Sequence, residues 1–95
     1  MTNTFTRIAN DVIEDERLSL HDLTLYVALS KFANNKTKQC YPSKASLLKL
    51  ARISDYSFRK SLKHLIEYKY VKVEQRKSAD GKQLSNLYTL LKTTW

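Results

Sequence analysis

The spacing of apolar residues changes once along this sequence, near residue 69, and the change limits the folds open to the chain. Up to that point, apolar side chains follow the i, i+4, i+7, i+8 spacing of one helix face, at Phe58, Leu62, Leu65 and Ile66. Just beyond it, Val71 and Val73 alternate with charged residues, as in a half-buried strand. The chain is therefore predicted to be α+β, with helices first and a small sheet after them.

Three serines mark the starts of three predicted helices. Ser19 is a good N-cap because Asp22, at the third helical position, can bond back to it. Ser43, directly after the only proline, caps a short second helix, and Ser54 caps a third. The first and third helices are expected over 20–33 and 55–68. The residues expected to be buried are, on the first helix, Leu23, Tyr26, Val27, Leu29 (or Ser30) and Phe32, and, on the second, Leu47, Leu48, Leu50 and Ala51.

The region after the third helix is predicted to be a β-hairpin. Its first strand is expected over 70–76 and its second over about 83–91, with Tyr88 and Leu90 on one face. The turn between them contains Asp80-Gly81, a pair that favours tight hairpin turns. The order of helix, short helix, turn, helix and hairpin predicts one winged helix-turn-helix domain. This domain is expected over 1–95, with the helix-turn-helix over about 43–68 and the wing over about 70–91.

Shorter segments are predicted from weaker signals. Residues 5–8 are expected to form a short strand or an extended arm, and residues 39–41 a short strand. Residues 11–17 are expected to be irregular, with the acidic cluster 14–16 as a solvated loop. Five tyrosines are expected in the core or at its rim rather than as stacking platforms for single strands: Tyr26, Tyr41, Tyr68, Tyr70 and Tyr88.

Positive charge is concentrated in the part of the chain that forms the predicted helix-turn-helix and wing. The whole chain carries a formal charge of +8. Residues 1–35 hold three Lys or Arg against five Asp or Glu, a net charge of −2. Residues 36–95 hold 14 Lys or Arg against four Asp or Glu, a net charge of +10. Charge segregated in this way creates a directed field and predicts a polyanionic partner.

The third helix is expected to lie in the major groove of double-stranded DNA, as the second helix of such units does. Arg59 is expected to read guanine through two hydrogen bonds, and Lys60 and Lys63 to contact phosphates. The cations of the wing are expected on the DNA backbone or in the minor groove. Tyr56 either contacts DNA or packs against the wing. The candidate DNA-binding residues are Lys44, Tyr56, Ser57, Arg59, Lys60, Lys63, His64, Arg76, Lys77, Lys82 and Gln83.

Several runs resemble small winged helix-turn-helix modules from plasmids and phages of Gram-positive bacteria. These runs are 18–29, 40–43, 53–54, 65–71 and 81–88, and the resemblance covers about residues 5–91. It implies a winged helix that binds DNA in replication initiation, conjugative transfer or transcription. Relatives often have glycine in the turn where this chain has Arg52, which leaves the turn geometry open and offers a further phosphate contact.

The length of the chain favours an accessory role over that of a complete initiator. A replication initiator of this kind is expected to carry a second domain, whereas this chain stops soon after its last predicted strand. We therefore expect an accessory factor in plasmid or phage DNA processing, at a conjugative transfer or replication origin. A transcriptional regulator and a winged-helix protein-interaction module remain alternatives. A homodimer and contacts with other proteins of a replication or transfer complex also stay open, through an apolar patch at Ile8, Val12, Ile13 and Leu20, with Leu91 and Trp95.

Other functional classes lack support in the sequence. Cys40, His21 and His64 are too few and too poorly spaced for a zinc site, so no metal and no cofactor are expected. A Cys40–His64 pair has nothing else to support a nucleophile, and the chain is not expected to be an enzyme. No apolar stretch approaches the roughly 20 residues that span a bilayer, and a lone cysteine fits a reducing compartment, so the expected location is the cytoplasm without a membrane partner.

Overall fold

A computed structural model describes residues 8, 10–34, 36–82 and 84–91 of the chain. Over these residues the elements follow in the order α1 (Asn10–Ile13), α2 (Leu20–Phe32), β1 (Gln39–Cys40), α3 (Lys44–Ala51), α4 (Asp55–Glu67), β2 (Val71–Glu74) and β3 (Leu87–Leu90). The strands form one antiparallel sheet in the order β1-β3-β2. The predicted α+β arrangement, with a helix-turn-helix followed by a hairpin, is confirmed. No helix in these described ranges has the length and apolar character needed to cross a bilayer.

Side-chain caps begin the three main helices, as the sequence predicts. At α2 the cap is reciprocal: the Asp22 amide donates to Oγ of Ser19 over 3.2 Å, and the Ser19 amide donates to Oδ2 of Asp22 over 2.9 Å. Oγ of Ser43 accepts from the amide three residues on, at 3.1 Å, and Oγ of Ser54 does the same at 3.2 Å. Each cap satisfies an amide that the helix itself leaves unpaired, which fixes where the helix starts.

The hydrophobic core lies between α2, α3, α4 and the inner face of the sheet. Helix α2 is central, since it contacts α3, α4, β1 and β3. Leu25, Tyr26 and Leu29 of α2 are fully buried. The sheet contributes side chains that alternate along its strands, as a half-buried sheet requires. Buried apolar residues from the other elements include Val12, Leu47, Phe58, Leu65, Tyr70, Val71, Tyr88 and Leu90.

The buried faces of α2, α3 and α4 are narrower than the sequence predicts. Val27, Phe32, Leu50 and Ile66 were expected inside, yet each exposes between 39% and 45% of its surface. Apolar residues lie all around α2, so their spacing alone could not show which face packs. The tyrosine prediction is confirmed for Tyr26, Tyr70 and Tyr88, which are buried, whereas Tyr41 is exposed.

The segment before α2 is more ordered than expected. Residues 11–17 were predicted to be irregular, but Asn10–Ile13 form one helical turn with Val12 fully buried beneath it. Val12 therefore belongs to the core and not to the predicted apolar surface patch. Most of the predicted strand or arm at 5–8 lies outside the described residues. Within it, Ile8 is half-buried against the core.

The strands of the wing are shorter than the sequence indicates. Strand β2 ends at Glu74, not at 76, and β3 begins at Leu87, not near 83. The pairing of β2 with β3 runs from Val71 opposite Leu90 to Glu74 opposite Leu87, and the described residues between these strands, 75–82 and 84–86, belong to the wing loop. At its tip Gly81 has φ +87 and its amide donates to the Ser78 carbonyl over 2.9 Å. This left-handed conformation confirms the turn predicted at Asp80-Gly81.

The turn between α3 and α4 contains an arginine in a glycine-like conformation. Arg52 has φ 59 and ψ 44, in the left-handed region. Its amide and that of Ile53 both donate to the Leu48 carbonyl, at 2.9 and 3.3 Å, and so close the C-terminus of α3. The turn therefore keeps the backbone that a glycine would adopt, although the side chain makes it costly.

Candidate nucleic-acid interface

The N-terminal half of α4 presents a polar, cationic face to solvent. Phe58, Ser61 and Leu65 pack inward, which turns the intervening residues outward. Tyr56 is 75% exposed, and the Arg59 side chain is 73% exposed. Together with the exposed Lys60 and Lys63, these residues form what we call the α4 surface: Tyr56, Arg59, Lys60 and Lys63.

Tyr56 is not covered by the described residues of the wing, since it is 75% exposed. Its side chain stands at the first turn of α4 and lines a groove between α4 and the start of α2. Ser57, Lys60 and His64 line the same groove, so the structure brings together four of the predicted DNA-binding residues there. A phenol held in the open beside a lysine is free to contact a sugar, a phosphate or a base edge.

An ion-pair cluster joins the starts of α3 and α4. Nη2 of Arg59 lies 2.6 Å from Oδ2 of Asp55, one helical turn away. The other carboxylate oxygen, Oδ1, contacts Nζ of Lys44, the first residue of α3. The hydrogen bond from Lys44, together with the charge of Arg59, lowers the pKa of Asp55 below its ordinary value, so the carboxylate stays ionised at neutral pH. Two of the predicted DNA-binding cations are thus held by one acid.

His64 and Ser57 are placed where their side chains also serve the fold. Nδ1 of His64 lies 3.1 Å from Oδ2 of the buried Asp22, and the imidazole stacks on Tyr68 with ring centroids 6.2 Å apart. Ser57 provides the amide that Ser54 caps, with the two Oγ atoms 3.2 Å apart. His64 therefore links α4 to α2, at the edge of the α4 surface.

Asp22 is a buried acid whose partners come from two helices. Burial favours a raised pKa, but hydrogen bonds from the Ser19 amide, Ser61 and His64 outweigh it, and the pKa lies below its ordinary value. The sequence predicts only the bond with Ser19, three residues away. The contact with His64 spans 42 residues and leaves no local signal in the sequence.

The wing divides its cations between its base and its tip. Arg76 is half-buried: its Nε donates to the Ser85 carbonyl over 2.8 Å, and its guanidinium lies 4.5 Å from the ring centre of Tyr41. Lys77 and Lys82 are exposed beside the turn. Arg76 thus anchors the wing loop, whereas the two lysines carry charge outward. Gln83, also predicted to contact DNA, lies outside the described residues.

Comparison with known proteins supports the assignment of a helix-turn-helix. A family model described as a helix-turn-helix domain matches residues 16–71. The matched range contains α2, β1, α3 and α4 and ends at the first residue of β2. No curated protein and no solved structure gave a significant match.

Proposed function

The chain belongs to the helix-turn-helix domain family, and from this premise we propose that it binds double-stranded DNA in a sequence-specific manner. In this proposal α4 enters the major groove and the wing lies along the neighbouring backbone. The observation that carries it is the α4 surface, which places a phenol and three cations outward on the second helix of a helix-turn-helix. Such side chains supply both phosphate contacts and hydrogen bonds to base edges.

The distribution of charge supports the same assignment. Residues 36–95 carry a net charge of +10, and this part contains α3, α4 and the wing. The α4 surface, Lys44 at the start of α3, and the wing lysines Lys77 and Lys82 are all solvent-exposed. A basic field of this kind attracts DNA over a distance before specific contacts form.

The biological role that we propose is an accessory factor in plasmid or phage DNA processing. Its support is the resemblance of the sequence to small modules of Gram-positive mobile elements. A transcriptional regulator with the same fold would use the same surface. Cys40, the nucleophile considered in the sequence, is buried, and burial raises the pKa of its thiol to about 11, which leaves almost no thiolate at neutral pH.

Selection of bound duplexes from a random pool tests the proposal. The wild-type protein is expected to enrich a defined sequence, and Arg59→Ala is expected to lose about 1–3 kcal/mol on it and to relax one base position. Lys77→Ala is expected to weaken all duplexes alike and to reduce the salt slope by about one. Lys36→Ala removes the same charge from an exposed position before β1, outside both surfaces discussed in this subsection, and serves as the control. Equal binding of selected and scrambled duplexes would exclude sequence specificity.

A second candidate function, a contact with a second copy of the chain, is favoured by an apolar surface on α2 and α3. Leu20 exposes 73% of its surface, and Val27 and Leu50 are also exposed. They line one groove with Leu23, Thr24, Ala28, Lys31, Ala51 and Arg52, which we call the α2–α3 surface. Of the apolar patch expected from the sequence, Leu20 lies on this surface, Ile13 is exposed but does not line it, and Trp95 lies outside the described residues.

The charges around the α2–α3 surface suit two-fold pairing. Lys31 and Arg52 lie on it, towards the C-terminal ends of α2 and α3, and the exposed Glu16 precedes α2. Two antiparallel α2 helices would bring Glu16 of one copy towards Lys31 of the other, with apolar residues between them. Sedimentation of the wild type should then show a dimer that Leu20→Glu dissociates. A wild type that sediments as a monomer at all concentrations would exclude this contact.

A further inference from the structure

We propose that Asp55, which pairs with Arg59 of the α4 surface, determines the sequence specificity of that surface. Its carboxylate holds Arg59 in position to read a base, and it competes with phosphate for Arg59 and Lys44. This inference rests on the proposed DNA-binding function. In it, an acidic residue beside a basic surface weakens binding to DNA sequences other than the preferred one. Asp55 acts through Arg59 and Lys44, so it is a positioning residue.

The geometry ties two cations from different helices to one acid. Asp55 is the first residue of α4 and Lys44 the first residue of α3. Arg59 lies one turn along α4, so its guanidinium reaches back to Oδ2 while Lys44 occupies Oδ1. The Asp55 side chain remains 40% exposed, which places the carboxylate at the surface that DNA would approach.

A carboxylate bound to Arg59 leaves the guanidinium able to read guanine. A guanidinium has five N–H donors in a planar fork, and the contact with Oδ2 uses one nitrogen, Nη2. The remaining donors suffice for the two parallel hydrogen bonds that guanine accepts at O6 and N7. Because Asp55 restricts the rotamers of Arg59 beforehand, less side-chain entropy is lost when the base is bound.

The same carboxylate opposes binding that relies on phosphates alone. A phosphate that seeks Lys44 or Arg59 must displace Asp55 or approach its negative charge, since an ionised carboxylate offers no donor. Base reading by Arg59 brings a neutral acceptor beside the ion pair, whereas a phosphate brings a second anion that the Asp55 carboxylate repels. Asp55 therefore weakens non-specific binding more than binding to the preferred sequence, which is the basis of discrimination by repulsion.

Two simpler roles for Asp55 make different predictions. An acid in the first turn of a helix stabilises it through the helix dipole, and this role alone would lower stability without changing sequence preference. Plain repulsion of DNA would raise the affinity of an Asp55 variant for every duplex by the same factor.

The test compares Asp55→Asn with Glu67→Gln, which removes the same charge from the other end of α4. Affinities are measured for the duplex selected by the wild type and for its scrambled version, over a range of salt concentrations. For Asp55→Asn we expect tighter binding to the scrambled duplex, no gain on the selected one, and a specificity ratio roughly tenfold lower. The salt slope on the scrambled duplex should steepen by about one, because a cation is released to contact phosphate. Glu67→Gln should leave the ratio unchanged.

A double-mutant cycle with Arg59→Ala tests whether Asp55 acts through Arg59. If Asp55 acts by positioning Arg59, Asp55→Asn should have little effect on the ratio once Arg59 is absent. Equal gains on both duplexes, or a lower melting temperature with an unchanged ratio, would overturn the inference while leaving DNA binding standing. A wild type that does not distinguish the two duplexes would instead overturn the proposed function itself.

Discussion

Arg52 lowers the stability of the turn between α3 and α4, because its side chain is strained in the left-handed conformation that the turn requires. Its left-handed conformation, with φ 59, costs a side chain that carries a Cβ about 1–2 kcal/mol relative to glycine. The backbone hydrogen bonds to Leu48 are independent of the side chain. The strain is therefore separable from the bonding of the turn.

Arg52→Gly is expected to raise the free energy of unfolding by about 1 kcal/mol, because glycine adopts the same backbone without strain. Arg52→Ala removes the same guanidinium but keeps a Cβ, so it should bring no such gain. Urea unfolding measures both. If the two variants were equally stable, the strain assigned to this position would be absent.

Single residues also show which parts of the site the sequence reveals. The caps at Ser19, Ser43 and Ser54 were predictable because a cap and its target are three residues apart. The ion pair between Asp55 and Arg59 follows an i, i+4 spacing, which is also a local signal from which the pair can be predicted. Contacts between distant residues, such as that of His64 with Asp22, depend on tertiary packing, and no local pattern contains them.

At the scale of elements, the acidic segment before α2 forms a structural clamp through Asp15, whereas Glu14 and Glu16 are exposed, as expected of a solvated loop. The Asp15 side chain is 8% exposed and pairs with Arg17 at 2.6 Å. It also accepts a hydrogen bond of 2.7 Å from the hydroxyl of Tyr70, just before β2. Arg17 in turn lies 4.2 Å from the ring centre of Tyr68. The segment thus joins the start of the described fold to the junction between α4 and the wing.

This clamp predicts a dependence of stability on pH. Hydrogen bonds from Arg17 and then Tyr70 hold the pKa of Asp15 well below its ordinary value of 3.8. A group whose folded-state pKa is lowered adds stability above its unfolded pKa and loses it as the pH falls through the folded one. Asp15→Asn should therefore be less stable than the wild type at pH 7, and the difference should shrink below about pH 4.

Thermal unfolding across the acidic range measures this difference. Glu14→Gln, which removes an exposed carboxylate from the same segment, is the control and should follow the wild type. A difference between Asp15→Asn and the wild type that stays constant from pH 7 to pH 3 would show that ionisation of Asp15 does not stabilise the fold.

The elements differ in how far the sequence predicts them. The positions of α2, α3, α4 and the wing turn followed from caps and from Gly81, which act over a few residues. The sequence did not predict which side of α2 is exposed. Apolar residues surround this helix, and the packing of α3 and α4 against it selects the buried face. The strand ends of the wing depend on a register set by both strands together, which neither strand reveals alone.

At the scale of the whole molecule, two surfaces with different chemistry share no residue. The α4 surface and the wing lysines are cationic, whereas the α2–α3 surface is mainly apolar. This separation would let one molecule bind DNA with one surface and a second copy with the other. Two copies so joined would present two α4 helices, and the selected DNA would then contain a repeated half-site.

The most direct test of where DNA binds is the change in backbone amide chemical shifts when the selected duplex is added to labelled protein. We expect the largest changes over 55–63 in α4, at Lys44, and at Lys77 and Lys82 in the wing. Changes at Val27 and Leu50 of the α2–α3 surface should be small. Changes concentrated on the α2–α3 surface, or no change at α4, would contradict the assignment of α4 as the recognition helix.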